Sequence, residues 1–252
     1  QAYLGINDYH VVEDPNNTYI DHIDCWGKYL ATNKILIRSV PASHPQYDEI
    51  EATAAYFASL TSPWNTPYEI YRVNTPGNEP YTNSFILNDK VLVPIMGSQN
   101  DEPALEVYRQ AMPGYRVFGY TALPSAPWES TDALHCRTHE MADPGMLRIR
   151  HIPLLGNAES APSYSFAANI AAYSGSAVIG DSALLYYRVN PNPYTPFQAV
   201  PMTNTMGSNW SVTIPSPEYG STVQYYIHAA DASSRSENHP FIGRADPHEF
   251  YV

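Results

Sequence analysis

The sequence predicts an α/β protein: ββαβ repeats first, then a smaller all-β domain. Three observations carry that expectation. The order strand, strand, helix, strand occurs twice before residue 121. From about Pro162 helical spacing of apolar residues gives way to short strands between turns. Tyr (21) and Pro (23) are abundant whereas Lys and Arg together number 13 in 252 residues, a strand- and turn-rich composition rather than that of a helical bundle.

Asp14-Pro-Asn-Asn reads as a turn, Thr18 to Trp26 as a strand, Thr32-Asn33-Lys34 as a turn and Ile35 to Arg38 as a second strand, which makes a hairpin. Asp48 to Leu60 places Ile50, Ala54, Phe57 and Ala58 at helical spacing behind acidic first-turn residues, so an amphipathic helix is expected, followed by a strand at Tyr68 to Val73. The order then restarts. Tyr81 to Leu87 and Lys90 to Pro94 flank the turn Asn88-Asp89, Glu102 to Met112 has helical spacing, and Tyr115 to Tyr120 closes the unit. A third unit is expected to begin at Asp132 to Thr138 and to continue into Met146 to His151. Repeats that bury one face against a neighbour must stack or close into a ring, and two and a half units close none. A complementary N-terminal portion is therefore expected.

Downstream, Ser165 to Ala171, Leu184 to Asn190, Asn209 to Ile214 and Thr222 to Ala230 read as strands. Turns such as Pro191-Asn192-Pro193 and Met206-Gly207-Ser208-Asn209 separate them at the spacing of an immunoglobulin-like β-sandwich. The expected domains are 1–160 and 161–252.

The formal charge of -12 disfavours nucleic acid or an anionic membrane as partner and suits a cationic ligand. No apolar run approaches the roughly 20 residues of a membrane span, and no N-terminal signal pattern is present. Cys25 and Cys136, the two cysteines, make no disulfide framework.

The chemistry concentrates in Thr131-Asp-Ala-Leu-His-Cys-Arg-Thr-His139. Cys136 stands between two histidines and an arginine, a setting expected to lower a thiol from about 8.5 toward neutrality and to supply a nucleophilic thiolate. His22 and Asp24 lie on the first strand of one unit, Asn83 on that of the next and Cys136 on that of the third, positions that meet if the repeats surround one axis. Strand alternation projects His22 and Asp24 from the same face, with Tyr19 off that phase and Cys25 opposite as a packed thiol. A thiolate facing an imidazole and a carboxylate suits attack on a planar carbon, with the imidazole moving protons and Asp24 gripping a guanidinium. Trp26 reads as a core aromatic, His135 and His139 as polar surroundings. No Cys/His spacing supports a zinc site, and neither metal nor cofactor is expected.

Asp14-Pro-Asn-Asn-Thr-Tyr-Ile-Asp-His-Ile-Asp-Cys-Trp-Gly-Lys28, Pro80-Tyr-Thr-Asn-Ser84, Ala111-Met-Pro-Gly-Tyr115 and Thr131 to His139 resemble the secreted bacterial peptidylarginine deiminases of the Porphyromonas type. The later Tyr225-Tyr-Ile227 and Pro240-Phe-Ile-Gly243 stretches resemble the immunoglobulin-like domain that follows the catalytic domain there. The resemblance implies a pseudosymmetric five-fold α/β-propeller that converts arginine residues of peptides or proteins to citrulline and ammonia, without calcium, outside the cell. It implies Cys136 as nucleophile through a covalent amidino-thioether, His22 as general acid/base, Asp24 as one of two guanidinium-binding carboxylates, and Tyr19 and Asn83 as shaping the substrate site. The second carboxylate and the arginines that recognise the substrate carboxylate belong to a family N-terminal half outside this chain, so a complementary fragment is the expected partner. The alternatives are a deiminase of small guanidines such as agmatine, and a catalytically silent binding module.

Overall fold

Both ββαβ repeats form. The computed structural model describes residues 9–20, 22–192 and 194–252, so Asp21 in the first expected strand and Pro193 in an expected turn lie outside the described residues. In the first repeat β1 (Gly27–Ala31) turns back into antiparallel β2 (Lys34–Ser39), α1 (Tyr47–Ser59) crosses over, and β3 (Glu69–Asn74) returns parallel to β2. In the second, β4 (Phe85–Leu87), β5 (Lys90–Ile95), α2 (Asp101–Ala111) and β6 (Arg116–Thr121) repeat that order. The result is two open three-stranded sheets, β1-β2-β3 and β4-β5-β6. A parallel pair cannot be joined by a tight turn, which is why each repeat spends a helix on the crossover.

Ile50, Ala54 and Phe57 form the buried face of α1, with Asp48 and Glu49 at its positive end, while Ala58 lies at the surface. Alternation splits β2 between two cores: Ile35 and Ile37 pack with Trp26 and Phe57, whereas Leu36 packs with Val73, Val91, Leu105 and Tyr108. The second repeat's helix thus covers the first repeat's sheet, the neighbour-on-neighbour burial that the repeat predicts.

The chain divides into units 1–140 and 141–252. In the second unit β7 (Leu147–His151), β8 (Gly156–Asn157), β9 (Ser163–Ala172), β10 (Leu184–Val189), β11 (Gln198–Pro201), β12 (Thr203–Met206), β13 (Asn209–Pro215), β14 (Thr222–Ala230), β15 (Ser236–His239) and β16 (His248–Tyr251) build two sheets. Their orders are β11-β10-β14-β16-β8, with β15 also on β14, and β12-β13-β9-β7. Val223, Tyr225, Ile227 and Ala229 of β14 meet Tyr164, Phe166, Ala168 and Ile170 of β9 in one core, the remaining residues of β14 alternating away from it.

Three expectations need correction. Met146 to His151 does not continue a third repeat: β7 pairs with β9 and buries Leu147 and Ile149 in the second unit's core, which moves the boundary from 160/161 to 140/141. Thr18 to Trp26 is not a strand, because the Asp14 carboxylate accepts from the amides of Asn16 and Thr18 and holds a turn, after which Ile23–Cys25 winds into one 3-10 turn. Tyr81 to Ser84 and Asp132 to Thr138 are likewise turns rather than strand. Among the described residues the content is mostly β with two α-helices, and no helix is long and apolar enough to cross a membrane.

The second unit buries a histidine cluster. His151 Nε2 lies 3.0 Å from the Tyr225 hydroxyl, and His239 Nδ1 lies 2.9 Å from His248 Nε2. Burial, reinforced by the neighbouring imidazoles, lowers His239 to about 4 and His248 further still. A histidine held neutral when folded but protonating near 6.5 when unfolded makes the unfolded chain take up more protons as pH falls, so its stability is intact above about 6.5 and is lost below. The slope is roughly 1.4 kcal/mol per pH unit for each such histidine. The thermal midpoint is accordingly expected to fall between pH 6.5 and 4.5 more steeply in the parent chain than in a His239→Gln/His248→Gln variant. Parallel profiles would place the acid sensitivity elsewhere.

Candidate active site

Three turns carry the reactive groups, the first two pinned from behind by buried polar side chains and the third by an exposed guanidinium. The first bears His22 and Asp24. Behind it Asn16 Nδ2 donates to the Cys25 carbonyl at 3.2 Å, and the Arg38 amide on β2 donates to the Trp26 carbonyl at 2.9 Å. The second bears Asn83. There the Tyr108 hydroxyl of α2, fully buried, donates to the Tyr81 carbonyl at 2.7 Å, and the Tyr81 hydroxyl donates to Asp101 at 2.6 Å. The third bears Cys136, and its Arg137 guanidinium is tied down by Asp132, the carbonyls of Ala126 and Pro127, and the face of Trp128.

Asn83 brackets the site. Fully buried, it donates through Nδ2 to Asp24 Oδ2 at 2.7 Å and to Cys136 Sγ at 3.2 Å, while its Oδ1 accepts from the His135 amide at 2.9 Å. Cys136 Sγ is 3.4 Å from Asp24 Oδ2, and one ligand-type atom each of His22, Asp24 and Cys136 lies within 4.8 Å of the others. Tyr19 is 87% exposed at the rim, its hydroxyl 3.4 Å from Thr131 Oγ1. All five site residues expected from the sequence therefore fall around one place. They do so from turns rather than from strand faces, and Asn83 is spent on its neighbours instead of facing outward.

His135, read from the sequence as mere surroundings, places Nδ1 2.7 Å from Asp24 Oδ2. Lys28, on β1 just past the first turn, is a further ionisable neighbour of the site. Its ammonium is lowered to about 8 by burial, against the opposing pull of Asp24 and Cys136. A lysine four residues after a candidate carboxylate was the available signal. Trp26 is core, as expected. His22, Asp24 and Cys136 have the spacing to close on a cation with one ligand atom each, although Asp24 Oδ2 already serves Asn83 and His135.

The expected lowering of the thiol does not occur. Partial burial raises the Cys136 pKa and the Asp24 carboxylate adds to this, against a hydrogen bond from Asn83 that lowers it. Arg137, the cation the sequence sets beside the thiol, is committed to Asp132. Cys25 is buried, and burial followed by Asp24 pushes its thiol up to about 12, as suits a packed thiol.

A thiol, an imidazole and a carboxylate gather at the turns of ββαβ repeats, and the family match of this first unit sets it among the guanidino-group deiminase folds. The family is narrower: residues 1–142, more than half of the chain, match the family described as Porphyromonas-type peptidyl-arginine deiminase, and the chain belongs to it. Solved structures with a partial likeness include a proposed arginine deiminase from Porphyromonas gingivalis, at 26% identity and TM-score 0.41, covering 46% of this chain and 36% of that one. An agmatine deiminase of Enterococcus faecalis matches at 18% identity and TM-score 0.37, covering 39% of this chain and 34% of that one. The agmatine deiminase of C. jejuni matches at 19% identity and TM-score 0.33, covering 46% of this chain and 37% of that one. The chain thus spans little more than a third of the length of each.

Asp24→Asn removes the negative charge that opposes thiolate formation, so the pH profile of Cys136 alkylation by iodoacetamide should move to lower pH, with faster labelling at pH 7. Mass mapping separates Cys136 from buried Cys25, which should stay unlabelled in both proteins. A profile that does not move would mean that burial alone holds the thiol up.

Proposed function

We propose that this chain carries the nucleophile, the acid/base and one substrate carboxylate of an enzyme that hydrolyses the guanidino group of arginine residues in peptides or proteins to citrulline and ammonia. The observation that carries this reading is the convergence of Cys136, Asp24 and His22 on one spot, with Asn83 bonded to both the thiol and the carboxylate. A guanidinium is planar and cationic, and it matches a carboxylate through paired N–H donors. With the cation against Asp24, its central carbon comes within reach of Sγ.

The chemistry then follows. Cys136 thiolate adds to the guanidinium carbon, forming a C–S bond and a tetrahedral centre. The His22 imidazolium gives a proton to the departing nitrogen, the C–N bond breaks, and ammonia leaves an amidino-thioether on Cys136. Neutral His22 next takes a proton from water as the water oxygen adds to the same carbon, and the C–S bond breaks as the new hydroxyl gives its proton to solvent, releasing the ureido group and regenerating the thiolate. Asn83 keeps Asp24 and Cys136 in register, and Tyr19 borders the entrance. The guanidinium also offsets the Asp24 charge felt by the thiol, so substrate arrival favours the thiolate the first step needs.

A complementary N-terminal portion of the same enzyme is proposed to supply the second guanidinium carboxylate and the groups that read the substrate's backbone. Supporting this, the chain spans 36% of the P. gingivalis structure it resembles. Arginine-containing peptides or proteins outside the cell are the proposed substrates, and the second unit is proposed to be an immunoglobulin-like sandwich.

The test joins intact mass analysis of the native protein, under denaturing conditions, with a citrulline assay on an arginine peptide and on agmatine. A second polypeptide, activity on the peptide, loss to background in Cys136→Ala and a fall of about 10²- to 10⁴-fold in kcat for His22→Gln are the expected results. Turnover of agmatine alone would replace the peptide reading with a small-guanidine one. Undiminished turnover in Cys136→Ala would remove the covalent mechanism.

A further inference from the structure

A groove of about 920 Å³ in the second unit lies along β7, β9 and β13, and its lining includes Arg148, Arg150, His151, Asn169, Ser211 and His239. No residue that lines it is acidic, although the chain as a whole carries 25 Asp and Glu against 13 Lys and Arg. Arg148 and Arg150 alternate outward from β7 while Leu147 and Ile149 go to the core, so both guanidinium groups share the outer face. Both are exposed, and among the described residues neither guanidinium has an ion pair or hydrogen bond. Other arginines of the chain are engaged by carboxylates, as Arg235 is by Asp143 and Arg116 by Asp89.

Around the arginines the groove mixes small polar side chains on β9 and β13 with apolar ones, Ile152, Leu154 and Ala167 among them. Asn169 stands beside Arg150 in register on β9 and donates to Asn209 Oδ1 at 3.1 Å, which spends one half of each amide and leaves the other. Ser211 stands beside Ala167, and Ser165 beside Thr213. Trp210 is buried beneath the face, and Ile152 is exposed at its edge. Two free guanidinium groups select paired anions, and the hydroxyls and amides beside them suit a ligand rich in hydroxyls.

We propose that this groove binds an acidic oligosaccharide, its carboxylates on Arg148 and Arg150 and its hydroxyls on the Asn and Ser side chains of β9 and β13. A peptide fits less well. The floor strand β9 has both edges committed, to β7 and to β13, so strand addition is left to the outer edge of β7, at the border of the face rather than on it, away from the hydroxyls and amides of β9 and β13. The inference concerns the second unit alone and does not depend on the deimination reading.

Calorimetric titration of the full chain with trigalacturonic acid, at low and at physiological salt, tests it. The expected result is saturable binding that weakens with salt. Binding should fall at least tenfold in Arg148→Gln/Arg150→Gln, and by a similar factor in Ala167→Glu, which puts a negative charge on the floor without touching the arginines. Thermal midpoints equal to the parent's would confirm that both variants are folded. The proposal is overturned if the parent binds no trigalacturonate, if either folded variant binds as the parent does, or if pentaglutamate binds equally well, since that would mark a patch that reads charge alone.

Discussion

The Arg38 guanidinium, buried on β2, fixes the turn on which the candidate site is built. Its acceptors among the described residues are all neutral: Thr75 Oγ1 at 2.9 Å, Asn16 Oδ1 at 2.9 Å and Asn78 Oδ1 at 2.6 Å, with the Thr75 carbonyl and Gln46 Oε1 farther off. Burial alone lowers its pKa to about 10, with Glu79, Cys25 and Asp14 acting in the opposite sense. A buried cation that touches no carboxylate among the described residues is tolerable only when its donors are satisfied, and that requirement draws the 14–17 turn, the approach to α1 and the end of β3 onto one point. Asn16, so held, passes the constraint on through the Cys25 carbonyl to the residues on either side of it. Asp24 is therefore positioned by a charge it does not touch.

Asn83 does for the second turn what Asn16 does for the first. Its amide answers to a thiol and a carboxylate at once, and it is held by α2 through Tyr108 and by the third turn through His135. Loops are costly to order, and precise geometry on loops needs support from rigid elements. Here the support comes from the Arg38 guanidinium on β2, acting through Asn16, and from the Tyr108 hydroxyl on α2. The repeats fix where the turns begin, and the buried polar side chains fix where they point.

Much of the fold was legible because periodicity reports burial directly. Ile50, Ala54 and Phe57 announce α1, and the strict alternation of Thr222 to Ala230 announces β14. What failed is what periodicity does not encode. Thr18 to Trp26 has strand-like composition, but the Asp14 carboxylate and the positive φ of Asn17 impose a turn. Leu147 and Ile149 alternate as a strand should, yet nothing local says that their partner is β9 and not a repeat. The five residues expected at the site come together in the structure, whereas the His135 contact with Asp24 spans 111 positions and left no local trace. The direction of the thiol's shift was misread for the same reason: sequence proximity put Arg137 beside Cys136, and the fold gave that guanidinium to Asp132.

That misreading bears on the proposed chemistry. A cysteine whose neighbours lowered its pKa would be a standing thiolate, open to oxidants and stray electrophiles whenever the site is empty. Cys136 is exposed, so access does not protect it; partial burial of the sulfur and the Asp24 carboxylate keep it a thiol instead. The carboxylate that suppresses the nucleophile is also the one positioned to receive a cation. Binding a guanidinium at Asp24 therefore supplies the reacting carbon and cancels part of the field that holds the proton on sulfur. A neutral isostere of the same shape would bring the carbon without the charge and leave the thiol protonated. On this reading selectivity for a cationic substrate arises at the chemical step as well as at binding, from one carboxylate placed 3.4 Å from the sulfur.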